Sequence, residues 1–329
     1  MKRVSILVAA IGLAVIAGAI VAADPRAVAA AVARVGPASL LVIATRAVSV
    51  GLCGLAWWLL FPPKHRPPVR ICMLLRYVRE GANTLLPLTQ VGGDVIGARL
   101  VTFWGIAGTL AAATVIVDVL MQAATQFLYA LSGLSVLAAR GTDSSLVRNV
   151  GLALALFVPA LGGFYLVQRH WGEMLLMKVL RRIARGREWA LHGHVGEAFS
   201  YLRTLYGRRG AVAASFFAHL AIWFIGALEV WISLTAMGYA IGYREALAIE
   251  SLAQAARGAA FMVPSAVGVQ EGGLVLLCGL FGIPAQSALA ISLIKRAADI
   301  CVGVPGLIAW QRMEAVHWTR KDRRRAEPN

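Results

Sequence analysis

Acidic residues are scarce in this chain: 16 Asp and Glu stand against 32 Lys and Arg in 329 residues. Charge of either sign is thin as well, at 15%, with a mean hydropathy of +0.72. A soluble globular domain carries roughly a quarter charged residues, so that class is excluded. Cysteine is sparse too: Cys53, Cys72, Cys278 and Cys301 lie in or beside apolar segments without a C-x-x-C pair, which excludes a disulfide framework and a thiolate metal site. The six histidines are scattered, and His192-Gly-His194 has no third ligand nearby, so no metal is expected. P-loop, dinucleotide fingerprint and nucleophile elbow are all missing. No cofactor, no direct use of ATP and no catalytic residue is therefore expected, and the enzyme reading is the weaker one.

What the chain has is apolar length. Runs of about 20 apolar residues are what a helix needs to cross a hydrocarbon core of roughly 30 Å. They occur at Val4–Ala23, Ser39–Phe61, about 101–117, 119–139 (hinged from the preceding span near Asp118), 149–168, 211–236 and 286–310. None alternates with the period of two that a membrane β-barrel requires. Val21-Ala22-Ala23 resembles a signal-peptide cleavage site, but the run before it is longer than such peptides use, so a retained helix is expected. The Lys and Arg residues gather between the runs, as they do in cytoplasmic loops, rather than forming a nucleic-acid patch. This basic bias puts the loop at 62–70, the stretch 169–210 and the tail 311–329 on the cytoplasmic side of a bacterial inner membrane, with both termini inside. Nucleic acid is not an expected partner; anionic lipid headgroups are, gathered by Lys178, Arg181, Arg182 and Arg185 on a helix whose apolar positions 175–183 recur at helical spacing.

Two stretches resemble copies of one another. In the first, Asn83 precedes Pro87, and Gly92-Gly93-Asp94 follows; in the second, Pro264 leads to Gly268, Glu271 and Gly272-Gly273. Proline ends a helix by removing an amide donor and clashing with the preceding turn. With the prolines aligned, 177 residues apart, an acid falls seven positions later in each copy. Broken helices at membrane depth are tolerated only where they are buried in protein or line a cavity. The elements containing them, about 71–99 and 245–283, are read as the two halves of an internal, inverted repeat. With three spans between 70 and 169, the first would have to cross the membrane and the second to turn back.

An ionisable group at the bilayer centre costs about 2.5–3.5 kcal/mol on insertion scales, so those within apolar spans mark a bundle interior or a water-filled path. Asp94 and Glu271 are the strongest candidates, as path-lining groups or as acids paired to Arg99 and to Arg257 or Arg296. Asp118 and Glu250 are read as interfacial, snorkelling or paired locally.

The pattern Asn83-x-x-Leu86-Pro87 with Gly93-Asp94 and Arg99, together with Val263-Pro264-x-x-x-Gly268-Val269-Gln270-Glu271, resembles the lysylphosphatidylglycerol synthase transmembrane (flippase-like) superfamily over nearly the whole chain. Leu86 to Asp94 is most similar to its hopanoid-biosynthesis-associated members. The resemblance implies an α-helical lipid-translocating domain with two re-entrant elements about a central cavity. Synthase members add a soluble aminoacyl-transferring domain, and with the chain ending at Asn329 that activity is not expected here. The full expectation is an all-α, polytopic membrane helix bundle forming one domain over 1–329. It would translocate a polar-headed lipid, a hopanoid or its precursor among the candidates, along a path lined or gated by Asn83, Pro87, Asp94, Arg99, Pro264, Gly268, Glu271 and Arg296. The alternatives are a membrane-embedded lipid-modifying enzyme and a non-catalytic partner of lipid-biosynthesis enzymes.

Overall fold

The computed structural model describes residues 20–21, 24–86, 92–168, 188–260, 266 and 268–326, and among these every regular element is helical. Most of the first apolar run and the amphipathic stretch 175–183 lie outside the described residues.

Helix α1 (Pro25–Val35) begins where the Asp24 carboxylate accepts the Arg26 amide at 3.0 Å, with Pro25 in the first turn where its missing donor costs nothing. Helix α2 (Ala38–Leu60) has 23 residues, about 35 Å of rise. It stops at extended Phe61 ahead of Pro62-Pro63. Its last carbonyls are satisfied by cations: Arg66 donates to Leu59 and Phe61, and Arg208 donates to Leu60 at 2.7 Å. Such contacts satisfy orphan acceptors and oppose the negative end of the helix dipole.

Helix α3 (Val69–Leu85) and helix α4 (Gly92–Val101) fold back on one another as a first hairpin. A Cβ on Gly93 would stand 2.2 Å from the Arg79 carbonyl oxygen, and one on Gly97 would stand 2.6 Å from the Arg79 side chain. Only glycine allows this approach. Asn83 Oδ1 accepts the Gly93 amide at 2.7 Å, which fastens the start of the short arm to the end of the long one.

Helix α5 (Gly108–Ala139) is a single run of 32 residues, which corrects the expectation of two spans hinged near Asp118. The Asp118 carboxylate bonds to side chains of other helices, so nothing there draws the backbone out of its ladder. The break falls earlier, in a short 3-10 turn over Thr102–Trp104 that ends at Gly105 with φ +78°. Helices α6 (Ser144–Ala155) and α7 (Phe157–Leu166) run almost continuously and turn Leu152, Leu156, Val158 and Phe164 outward. Asp143 caps α6, and the backbone hydrogen bond it accepts from Ser145 at 2.8 Å holds its carboxyl below the usual range.

Helices α8 (Glu188–Gly207) and α9 (Arg209–Ala236) lead to the second hairpin, α10 (Tyr243–Ala259) and α11 (Val269–Leu280). The long arms α3 and α10 each have 17 residues, and the short arms have 10 and 12. Helix α12 (Ala285–Ala326) closes the bundle and carries Pro305 inside it. It meets α3 backbone to backbone: a Cβ on Gly306 would lie 2.3 Å from the Tyr77 carbonyl oxygen, and one on Gly81 would lie 2.5 Å from that of Gly303. Small residues at such seams let membrane helices pack closely, where lipid provides no hydrophobic drive.

Among the described residues, four helical segments, Ala38–Leu60, Gly108–Ala139, Ser144–Leu166 and Arg209–Ala236, are long and apolar enough to cross a membrane. Two main cores organise them. One surrounds the first hairpin with Trp57, Leu75, Val78, Leu100 and Leu110; the other surrounds the second with Val42, Val230, Ile249, Leu274 and Ile291.

The glycine seam gives a direct test. Gly306→Ala should cost about 1–3 kcal/mol through overpacking against α3, lowering the melting temperature of the detergent-purified protein. Gly226→Ala, with nothing within 4 Å of the added carbon, should be neutral or slightly stabilising, since alanine favours a helix interior.

Candidate functional site: two buried charge clusters

Each hairpin presents its long arm to a cluster of ionisable groups inside the bundle. In the first, the Arg79 guanidinium of α3 is fully buried between two carboxylates. Its Nη2 lies 2.6 Å from Asp94 Oδ1 on α4 and 2.8 Å from Asp118 Oδ2 on α5, and its Nε donates to Asp94 at 2.8 Å. The Trp57 ring covers the guanidinium at 4.9 Å, a cation–π contact that adds to the ion pairs. Around Asp118, Gln122 Nε2 donates at 2.9 Å and His219 Nε2 of α9 lies 2.9 Å from the other carboxylate oxygen. Arg76 donates to Gln122 at 2.8 Å and stands 3.7 Å from Glu80. Three carboxylates, two guanidiniums and one imidazole thus form one network, buried except at Glu80 on its edge.

The second cluster is built on an ammonium. Lys295 Nζ of α12 donates to Glu229 of α9 at 2.9 Å and to Glu250 of α10 at 2.7 Å. Arg46 of α2 reaches Glu229 at 3.2 Å and Asp299 at 3.3 Å, and Arg257 of α10 stands 3.9 Å from Asp299. A polar chain continues toward the short arm: Arg257 donates to Gln270, Gln270 to Ser292, and Ser292 to Glu271 at 2.8 Å. Glu271 also accepts from Arg296 at 2.8 Å and, through its other oxygen, from the Gly268 amide at 2.7 Å. The φ of +86° at Gly268 explains glycine at that helix start. Desolvating so many charges costs several kcal/mol per ion, which only close pairing offsets, so such clusters add little net stability.

The structure distributes the sequence candidates unevenly. Asn83 and Asp94 meet at the start of α4, but Asp94 pairs with Arg79 and not with Arg99. Arg99 lies at the surface, its side chain 56% exposed, in a fork with Glu314 at 2.7 Å and 2.9 Å. Gly268, Glu271 and Arg296 come together at the start of α11. Pro87, Pro264, Lys178, Arg181, Arg182 and Arg185 lie outside the described residues. Asp118 and Glu250, read as interfacial, are instead 0% and 2% exposed and central to their clusters. Arg79, His219, Arg46, Glu229 and Lys295 complete the set without having been proposed as path residues.

A signal for one of them, Lys295, was available. The 177-residue offset that matches Asp94 with Glu271 also matches Asp118 with Lys295, Gln122 with Asp299 and Glu80 with Arg257. At three of these four positions the residue changes charge, which hides the correspondence from a search for like residues.

A bundle of membrane-length helices enclosing ionisable groups beside two broken helices is a polytopic membrane protein. The chain belongs to the lysylphosphatidylglycerol synthase TM region family, whose profile matches residues 9–306. That membership places it among membrane proteins connected with lipids. The comparisons with curated proteins and with solved structures find no match.

Arg79 should be the most sensitive residue of the first cluster. Arg79→Ala leaves two buried carboxylates without their cation and should cost about 3–5 kcal/mol, whereas Arg99→Ala should stay within about 1 kcal/mol. Thermal unfolding of both purified variants measures the difference, and the triple variant carrying also Asp94→Asn and Asp118→Asn should recover much of the loss.

Proposed function

We propose that this protein moves a polar-headed lipid between the leaflets of a bacterial inner membrane. The observation that carries the reading is the matched construction of the hairpins, each with its long arm tied by buried charge to the crossing helices that surround it. Lipid tails need no protein to stay in the bilayer; a polar headgroup does need a desolvated passage with compensating partners. Paired charges on movable hairpins can give it those partners by exchange, each salt-bridge member releasing its neighbour as a headgroup arrives.

The positive bias of the loops supports an inverted arrangement. Between the basic segments 62–70 and 169–210 lie two spans, Gly108–Ala139 and Ser144–Leu166, so placing both segments on one side makes the first hairpin re-entrant. Counting on through Arg209–Ala236, the second hairpin then starts from the opposite face. Such pairs, entering from the two sides, suit alternating access. We assign Asn83, Asp94, Gly268, Glu271 and Arg296 to the path or its gates, with Pro87 and Pro264 as the breaks and Arg99 at its rim. Lys178, Arg181, Arg182 and Arg185 gather anionic headgroups on the cytoplasmic side, where both termini lie. A hopanoid or its precursor is the first substrate to test, given the resemblance of Leu86–Asp94.

Reconstitution into proteoliposomes containing a headgroup-labelled lipid tests the assignment. Asp94→Asn and Glu271→Gln should each slow exposure of the label about tenfold, equivalent to roughly 1.4 kcal/mol in the barrier. Unchanged rates in both variants would remove these residues from the path.

A further inference from the structure

Within the second cluster, one carboxylate is compensated less well than its neighbours. Glu229 receives both Lys295 and Arg46, and Asp299 faces both Arg46 and Arg257. Glu250 has only its share of Lys295, plus the Gln254 amide at 2.9 Å, and both reach the same oxygen, Oε1. Oε2 is buried without a hydrogen-bond partner, on a side chain 2% exposed; Asp299 Oδ1 also lacks a hydrogen bond, but the Arg46 guanidinium stands 3.3 Å from it. A narrow crevice between α10, α11 and α12, lined by Glu250, Gln254, Arg257, Gln270 and Lys295, has no room for a water molecule. A hydrated ion does not fit this crevice, and an orphaned anionic oxygen in such surroundings is expensive.

We propose that Glu250 is a proton-binding site, in which a proton takes over from Lys295 as the partner of this carboxylate. The proton comes from water, binds Oε2 and converts the carboxylate to a neutral acid. Lys295 keeps its own protons and remains paired with Glu229. No other bond is made or broken.

The surrounding groups favour this exchange. From α9, Glu229 competes for the same ammonium. Tyr129 of α5, whose buried hydroxyl has no partner, and Cys278 of α11 lie within electrostatic reach of Glu250, and neither brings a positive charge. The cations in reach are Lys295, Arg46 and Arg257; the first two are shared with other acids, and Arg257 is turned toward Asp299 and Gln270. Because Glu250 sits on the long arm of the second hairpin and Lys295 on α12, movement of that arm separates the pair. An uncompensated buried charge would oppose such a movement; a bound proton removes that opposition. On the lipid-translocation reading, on which this consequence rests, proton uptake at Glu250 lets the second hairpin move.

Infrared difference spectroscopy of the full-length protein in nanodiscs tests the site without reference to transport. Lowering the pH should bring up the carbonyl stretch of a protonated carboxylic acid, shifted by carbon-13 labelling of glutamate. The band should be lost in Glu250→Gln and retained in Glu229→Gln. In Glu250→Asp, which keeps a titratable group should the glutamine variant fail to fold, the band should persist but no longer respond to glutamate labelling. Absence of the band, or its survival unchanged in both Glu250 variants, overturns the proposal. In proteoliposomes, an imposed pH gradient should change the rate of lipid exposure severalfold in the wild type and leave Glu250→Gln insensitive. A wild-type rate indifferent to the gradient overturns the coupling, while a wild type that moves no lipid overturns the transport reading and leaves the spectroscopic result standing.

Discussion

A guanidinium held dry between two carboxylates sets the terms for the first half of this protein. Arg79 cannot be left alone at that depth, and neither can Asp94 or Asp118. Satisfying all three fixes the long arm of the hairpin against its short arm and both against the crossing helix α5. The rest of that half is arranged to make the meeting possible. Gly93 and Gly97 remove the side chains that would keep α4 at a distance, Asn83 holds the first amide of α4, and Trp57 seals the guanidinium from above. Hydrophobic burial surrounds the arrangement, but between membrane helices it does not choose the partners. The charges choose them.

The second half solves the same problem with the signs reversed. There α12 supplies a cation, Lys295, and the neighbouring helices α9 and α10 supply the acids. Charge reversal at matched positions puts Lys295 where the first half has Asp118, and Arg257 where it has Glu80. It also makes the two hairpins chemically unlike: one is locked by a delocalised, always-charged guanidinium, the other by a compact ammonium shared between carboxylates. The first hairpin is the tighter of the two. A Cβ on Gly273 of α11 would meet α10 only at ordinary contact distance, whereas Gly93 and Gly97 have no space to spare.

Much of this was legible in the chain. Apolar length and scarcity of charge specify the membrane bundle, and Pro87, Pro264 and the acids after them locate both breaks. Proline and glycine act locally, so their signals survive in one dimension. The hinge expected near Asp118 was misplaced because a carboxylate in an apolar run signals cost but not how the cost is met. Its partners, Arg79 and His219, lie 39 and 101 residues away. Arg99 was favoured for the opposite reason: it is near Asp94 in sequence, but about one and a half turns of helix carry it away from the buried face and out to Glu314. Pairing across a bundle is a property of helix faces, and single positions do not reveal which face will be inside.

Helix α9 contributes to both clusters, His219 to the first and Glu229 to the second. Ten residues separate them, which on an α-helix is about 15 Å, close to half the thickness of a bilayer's hydrocarbon core. The two polar centres are therefore offset along α9, on a rod that does not shorten. Their separation is set by the hydrogen-bonded geometry of the helix and not by the packing of its side chains, so one cluster cannot shift along the axis of α9 without carrying the other.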